Sequence, residues 1–454
     1  MGGKSFKRSH SRHFHSLSVP PFVPLMIGFH NRMPLIIPLK GERIDIDKDI
    51  PAVEDLEKRC ETTSSRSGKM SLFTDLLGDP ICRIRHSPSF LMLVAEIRVG
   101  VEKEMVGVIR GCIKTVTCGK KFTRPNGSLV AGDEVPDDHS DHKAIVTPIC
   151  TKLAYILGLR VSPSHRRKGI GSKLINQIED WFRKNGAEYS YMATEFDNKP
   201  SLNLFTNKCH YTKFRTPSIL VQPVFAHRVN TNRNRVTIVK LSLADAEALY
   251  RRRFSATEFF PHDIDRILHN KLNLGTYVGV PAESYSAESW PGLAEFLSDP
   301  PESWAVMSMW NCKEAYTLQV KGASLARRLA ARSTRVVDGA LPWLRIPSVP
   351  DVFRPFGVLF MYGLGAEGPR AKRIVKALCG HAHNMAKHLM CGVVAAEVAA
   401  QDPLRLAIPH WERLSCAEDV WCIKRLVEDY GDGPVGDWTK SSPGPSIFVD
   451  PREF

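Results

Sequence analysis

The chain has 454 residues, 43% of them hydrophobic and 24% charged, with 31 glycines and 31 prolines that fall in no fixed triplet. This is apolar material for two or three separately cored domains of about 100 to 200 residues, and it excludes a disordered, low-complexity or fibrous protein. The formal net charge of +14 favours polyanionic partners, whether nucleic acid, an anionic surface or a phosphorylated cofactor, without choosing among them.

Apolar runs such as Phe90 to Ala95 fall far short of the roughly 18 to 20 residues that span a bilayer, so no membrane span is predicted. The eleven cysteines are scattered and form no C-x-x-C pair. That argues against a zinc ribbon or redox motif and for reduced thiols in a nuclear or cytosolic compartment.

In chain order, residues 1–42 form a basic tail: Lys4, Lys7, Arg8, Arg12, Arg32 and Lys40 stand without a carboxylate before Glu42. A tail, or a non-native extension, suits this composition better than a transit peptide. A folded pattern starts near Ile44, where Val53, Leu56 and Cys60 recur at helical spacing. Ser71 to Leu77 reads as a short second helix. Phe90–Arg98 and Met105–Val116 read as a long antiparallel hairpin. Residues 117–147, with Asp133, Glu134, Asp137, Asp138 and Asp141, read as an exposed loop. Beside those acids, His139 and His142 suit a solvated loop better than a metal site.

Leu153 to Val161 is a strand-like run, and from Ser172 an amphipathic helix places Leu174, Ile175, Ile178 and Trp181 or Phe182 on one face. Between them, Arg166-Arg167-Lys168-Gly169-Ile170-Gly171 forms a turn at a helix N-terminus, where glycines permit close backbone approach and the first amides point outward to an anion. Tyr189 to Asp197 reads as the next strand, followed by a helix start at Asn198-Lys199-Pro200-Ser201-Leu202-Asn203-Leu204-Phe205.

The R-x-x-G-x-G turn after Val161-Ser162-Pro163 resembles the coenzyme A pyrophosphate loop of the GCN5-related N-acetyltransferase (GNAT) superfamily, and the Asn198 segment resembles its second motif. From Ser71 through Phe214 and on to the C-terminus the chain is similar to the plant Hookless-type N-acetyltransferases. The resemblance implies acetyl-CoA as cofactor, a protein or other amine acceptor, a nuclear setting and a link to histone acetylation. It also implies residue roles. The amides of Arg167, Lys168, Gly169, Ile170, Gly171 and Ser172 would cradle the pyrophosphate, and Arg166 to Lys168 would add charge-assisted contacts. Leu159 and Val161 would pair with the pantetheine arm as an extra strand does, and Asn198 and Phe205 would flank it.

Acetyl transfer to an amine needs a neutral nitrogen, a polarised thioester carbonyl and often an acid for the departing thiolate. Where many relatives carry a tyrosine, this chain has Phe205, which leaves Tyr211 as the nearest acid. Where histone-type relatives carry a glutamate, it has Tyr155, which leaves Glu195 and Asp197 as candidates, Glu195 as a base through water or as a plain strand residue. The predicted catalytic pair is therefore Glu195 and Tyr211.

A polar linker at 226–235 precedes a second strand-helix pattern (Val236 to Leu241, Leu243 to Tyr250), and Ala193–Phe196 aligns with Ala395–Val398 at a constant offset. The equivalent loop falls near Gly368 to Arg373. Gly363-Leu364-Gly365-Ala366-Glu367-Gly368 matches the dinucleotide fingerprint, but the repeat argues against a Rossmann unit. Glu367 in the turn would repel a pyrophosphate. Around Cys379, the histidines His381, His383 and His388 read as surface residues rather than metal ligands. The arginine run at 251–253 reads as a solvated helix face, so any nucleic acid contact is indirect.

The expectation is an α+β protein of tandem GNAT-like domains, each a mixed sheet flanked by helices: residues 43–225 bind acetyl-CoA, and residues 236–454 form a degenerate copy that shapes the acceptor cleft or a partner surface. The rival is a regulatory interaction protein that has kept the fold without turnover.

Overall fold

The computed structural model describes residues 25–29, 46–65, 70–99, 102–123, 146–285, 290–416, 419–427 and 436–454. Most of the basic tail, His139, His142 and the acidic cluster at 133–141 lie outside them. In chain order the first half holds β1 (Leu25–Phe29), α1 (Ile46–Ser65), β2 (Ser71–Asp75), β3 (Ser89–Val99), β4 (Glu102–Thr123), β5 (Val146–Val161), α2 (Ile170–Lys184), β6 (Tyr189–Glu195), α3 (Lys199–Asn203), β7 (Thr212–Arg215) and β8 (Pro217–Pro223). The second holds β9 (Val236–Lys240), α4 (Leu243–Phe254), α5 (Ile264–Leu268), β10 (Asn273–Pro281), α6 (Leu293–Ser298), β11 (Trp304–Asn311), β12 (Thr317–Lys321), α7 (Leu325–Ala340), β13 (Gly357–Glu367), α8 (Ala371–His388), β14 (Cys391–Ala399) and β15 (Asp419–Arg425).

A seven-stranded sheet runs β1-β3-β4-β5-β6-β15-β7, and a six-stranded sheet runs β8-β14-β13-β11-β10-β9. Both are mixed: β5 and β6 are parallel in the first, β13 and β14 in the second, and each parallel pair is joined by a long crossover helix, α2 or α8. The repeat is thus visible as two similar sheets.

The halves exchange strands. β15, the last strand among the described residues, lies between β6 and β7 in the first sheet, while β8 pairs antiparallel with β14 in the second. Separating the halves would break both ladders.

Helix α2 packs on one face of the first sheet through Leu174, Ile175, Ile178 and Phe182, all buried. Two glycines let it approach. A Cβ on Gly107 would lie 3.0 Å from Leu174, and one on Gly111 would lie 2.5 Å from Phe182. On the other face a single apolar core joins the sheets, with Val116, Tyr155, Tyr191 and Phe214 from the first and Val306, Trp310, Phe360 and Tyr362 from the second.

The C-terminal residues thread this shared core. Lys114 Nζ lies 2.6 Å from Glu453 Oε2 and 3.4 Å from Asp450 Oδ2, and Arg452 contacts both Asp450 and Asp263 at 2.6 Å. Tyr191 donates to Glu453 at 2.5 Å, and Phe454 stacks on Phe360. Burial makes such charges expensive unless they are fully paired, and here they are.

Two expectations need correction, and the 226–235 linker gains detail. Ser71–Asp75 is a strand, not a helix: it pairs antiparallel with β12, whose backbone groups outweigh a weak local helical period. The 226–235 segment is pinned, since Ala226 N donates to Asp338 at 2.7 Å, His227 Nδ1 lies 2.6 Å from Asp338, and Asn384 brackets the Val229 backbone. His383 is no surface residue. It is fully buried and accepts from Phe225 N at 2.8 Å, and burial lowers its pKa to about 4.

Candidate active site: a forked sheet and a helix N-terminus

β5 and β6 pair only from Leu153–Tyr189 to Ile156–Met192. Beyond that point each follows its other neighbour, β5 along β4 and β6 along β15, so the sheet forks between Leu157–Val161 and Ala193–Glu195. At the fork β5 carries a bulge: Val108 faces Arg160 while Arg110 faces Leu157. Gly158 makes it possible, with φ of +66° and the buried Arg110 guanidinium where a Cβ would lie, only 2.7 Å away. The bulge switches side-chain parity. Leu157 faces the shared core, whereas Leu159 and Val161 face α2. Such a bulge re-aims side chains and interrupts pairing, which suits the edge of a binding cleft.

The turn between β5 and α2 stands at one side of this fork. Arg167 and Gly169 have φ of +61° and +82°, left-handed backbone on either side of Lys168, and α2 starts at Ile170 with its first N–H groups unclaimed by a side-chain cap. Arg166, Arg167, Lys168 and Gly169 are exposed, and nothing lies within 4 Å of the position a Gly169 Cβ would take. The cradle is open in front and positively charged.

Gly171 turns inward. Its Cβ position lies 3.2 Å from Leu204 and 3.9 Å from both Leu159 and Val161. Leu204, which the sequence motif gave no role, is therefore the apolar residue that meets the loop. Phe205 beside it is buried edge-on to Tyr211. Asn198 caps α3, accepting from Ser201 N at 3.3 Å and donating to Thr194 at 3.1 Å.

Glu195 and Tyr211 are not brought together. Tyr211 is buried on the α2 face, where its hydroxyl donates to Ser190 at 2.9 Å and burial raises its pKa well above the usual range. Glu195, exposed, has the parity of Tyr189 and Tyr191 and belongs to the opposite face. What Glu195 does meet is Asp419, its direct partner across the β6–β15 ladder. Burial, reinforced by Glu195, pushes the Asp419 carboxyl up to about 6. Burial, reinforced by the Asp419 charge, pushes the Glu397 carboxyl on β14 up to about 8. Sequence reading paired Glu397 with Glu195 as equivalents in a repeat; the strand exchange makes them neighbours of the same aspartate.

The second loop is closed. Arg370 N, at the start of α8, already donates to Ser303 Oγ at 3.1 Å, Glu367 pairs with Arg253 at 2.5 Å, and Arg370 pairs with Glu283. A Cβ on Gly368 would collide with the Glu302 backbone. The fingerprint glycines Gly363 and Gly365 lie within β13, against the rings of Tyr250 and Phe254. No group of three or more metal-ligating side chains stands together among the described residues, and none of their helices is long and apolar enough to cross a membrane.

An open anion cradle at a forked parallel strand pair is matched by similarity at the level of sequence. The acetyltransferase (GNAT) family matches residues 51–211. "Probable N-acetyltransferase HLS1-like" of Arabidopsis thaliana is 64% identical over 414 residues, covering 90% of this chain and 98% of that protein. The chain belongs to this acetyltransferase family.

"Probable N-acetyltransferase HLS1" of the same plant is equally similar, and "Acetyl transferase GW6a" of Oryza sativa subsp. japonica is 38% identical over 92% of this chain and 97% of its own length. The chain is thus an N-acetyltransferase of the Hookless type. Among solved structures, Saccharomyces cerevisiae N-myristoyltransferase with bound myristoyl-CoA aligns over 86% of this chain and 80% of its own at 12% identity, with a TM-score of 0.46. A GCN5-related N-acetyltransferase from Kribbella flavida aligns over 83% and 69% at 13% identity, with a TM-score of 0.36.

Proposed function

We propose that this N-acetyltransferase takes acetyl-CoA at the Arg166–Ser172 loop of its 43–225 unit and transfers acetyl to a primary amine, a protein lysine or N-terminus, by direct attack in a ternary complex. The observation that carries this reading is the open loop: two left-handed residues, unclaimed helix-start amides and three basic side chains beside a fork lined by Leu159, Val161 and Leu204. The pyrophosphate would meet the amides of residues 167–172, with Arg166, Arg167 and Lys168 around it. The arm would follow the β5 edge that β6 leaves unpaired, hydrogen-bonded as an added strand. Acetyl-CoA supplies the thioester acyl carbon. The protein holds it at the fork and excludes water from it.

The 236–454 unit keeps the fold and has given up the cofactor loop, which supports a single live site per chain. Its role is to build the face on which the acceptor arrives. The test is calorimetric binding of acetyl-CoA to the full chain, where 1:1 saturation is expected and two equal sites would count against the reading.

A further inference from the structure

A surface helix ordinarily buries an apolar stripe and gives its polar face to water, and α7 does the reverse. It is held to the body of the protein through polar groups. Asp338, fully buried, accepts from the Ala226 and His227 amides at 2.7 and 3.2 Å and from the Ser348 hydroxyl. Thr334 accepts from Val349 N at 3.3 Å, and Arg335 donates to the Val224 carbonyl at 2.5 Å. The residues that α7 buries are Ala331 and Asp338. At about 100° per residue, Leu325, Leu329 and Val336 fall within about 40° of one another on the side opposite those two. They and Val337, Trp343 and Leu344 are 41 to 72% exposed. Met70 extends the patch, since it is exposed and accepts from Arg327 Nη1 at 3.3 Å. An apolar ridge kept in water marks a contact surface.

The charges around the ridge select what covers it. Residues 322–347 hold five arginines, at 327, 328, 332, 335 and 345, and one carboxylate, the inward-facing Asp338. Arg328 and Arg332 flank the ridge and are exposed, and neither meets a carboxylate among the described residues; Arg328 lies 5.9 Å from the Phe353 ring. The occupant must therefore bring apolar depth and negative charge together. A second copy of this face brings no carboxylate to these arginines. A bilayer containing anionic lipid offers acyl chains to the ridge and headgroup charges to its flank. The ridge also points directly away from the side by which α7 is held, as contact with a flat surface requires.

We propose that α7 and the 341–346 turn after it form a docking surface for anionic lipid. The helix lies in the plane of the headgroups, with Leu325, Leu329 and Val336 toward the acyl chains, Trp343 at the boundary and the arginines on the headgroups. It lies on the bilayer and does not cross it. Docking sets where the enzyme works and is independent of what the Arg166–Ser172 loop binds.

The experiment is cosedimentation of the full chain with vesicles of equimolar phosphatidylcholine and phosphatidylserine, beside vesicles of phosphatidylcholine alone. Saturable binding to the mixed vesicles is expected, about 10-fold or more weaker on the neutral ones and weakened by added salt. Leu329→Asn with Val336→Asn keeps every charge and should bind about 10-fold or more weaker. Both residues are exposed, so the melting temperature of this variant should stay within about 2 °C of wild type. Arg328→Gln with Arg332→Gln should lose as much and flatten the salt dependence. Trp343 is the one exposed tryptophan of the eight, so brominated lipid should quench wild-type fluorescence and leave Trp343→Phe nearly unquenched. If Leu329→Asn with Val336→Asn binds the mixed vesicles as wild type does, the attraction is the net charge of the chain alone and lipid docking by α7 is rejected. If folded wild type binds no vesicles, it is rejected in favour of an acidic groove on a partner protein. A wild-type dimer that the same two substitutions dissociate would reject it too, and assign the face to a second copy.

Discussion

Glu195 and Asp419 face each other across an antiparallel ladder although one belongs to the first repeat and the other to β15, more than 200 residues on. The contact exists because β15 crosses into the first sheet while β8 crosses into the second.

The same exchange ties stability to the extreme C-terminus. Lys114 on β4 is buried with Glu453 and Asp450 as its counter-charges. Glu453→Ala leaves an under-compensated ammonium in the core and is expected to cost about 3 to 5 kcal/mol, read by urea denaturation. A loss under about 1 kcal/mol, the range of an exposed pair, would show that the tail is not integral to the shared core.

The G-x-G-x-x-G run in β13 is expected to be a packing device. A Cβ on Gly365 would lie 2.5 Å from the Phe254 ring, so Gly365→Ala should destabilise the protein by about 1 to 3 kcal/mol, and adding Phe254→Leu should recover part of the loss. NADH fluorescence should not change on mixing with wild type; saturable enhancement that Gly365→Ala abolishes would restore the dinucleotide reading.

Glu397 carries a stability signature that depends on pH. Its folded-state carboxyl is raised from 4.5 to about 8, so the folded protein holds this proton more tightly than the unfolded chain. Its stability contribution is complete below about pH 4.5 and is lost as pH rises through about 8. Glu397→Gln is therefore expected to melt with wild type at pH 4.5 and above it at pH 9, because the variant has no buried charge to form. A lower melting temperature at pH 9 would contradict the burial of that charge.

Much of this was legible in the sequence because it is local. The Leu174–Phe182 face, the Arg166–Gly171 turn, the Ala193–Phe196 strand and its copy at Ala395 each carry their own period or glycine signature, and the structure has the corresponding helix, turn and strands. What was not legible depends on pairing across the chain. Ser71–Asp75 becomes a strand only because Thr317–Lys321 lies beside it. Asp419 sits in a stretch with no motif and meets Glu195 only because β15 lies beside β6. His383 looks like one of three helix-surface histidines until the Phe225 amide, from the far side of the strand exchange, buries it. Gly158 was the one missed residue with a local clue, a glycine inside a strand, which often marks a bulge.

The central claim is that the Arg166–Ser172 loop is the live acetyl-CoA site, and it is tested most directly by calorimetry on wild type beside Gly169→Glu. At φ of +82° a side chain is strained, and with open space ahead of it the new carboxylate would stand where the pyrophosphate belongs. Saturable 1:1 binding by wild type, weakened at least about 100-fold in the variant (near 2.7 kcal/mol), is the expected result. Equal affinity in the two folded proteins, or none in wild type, would contradict it.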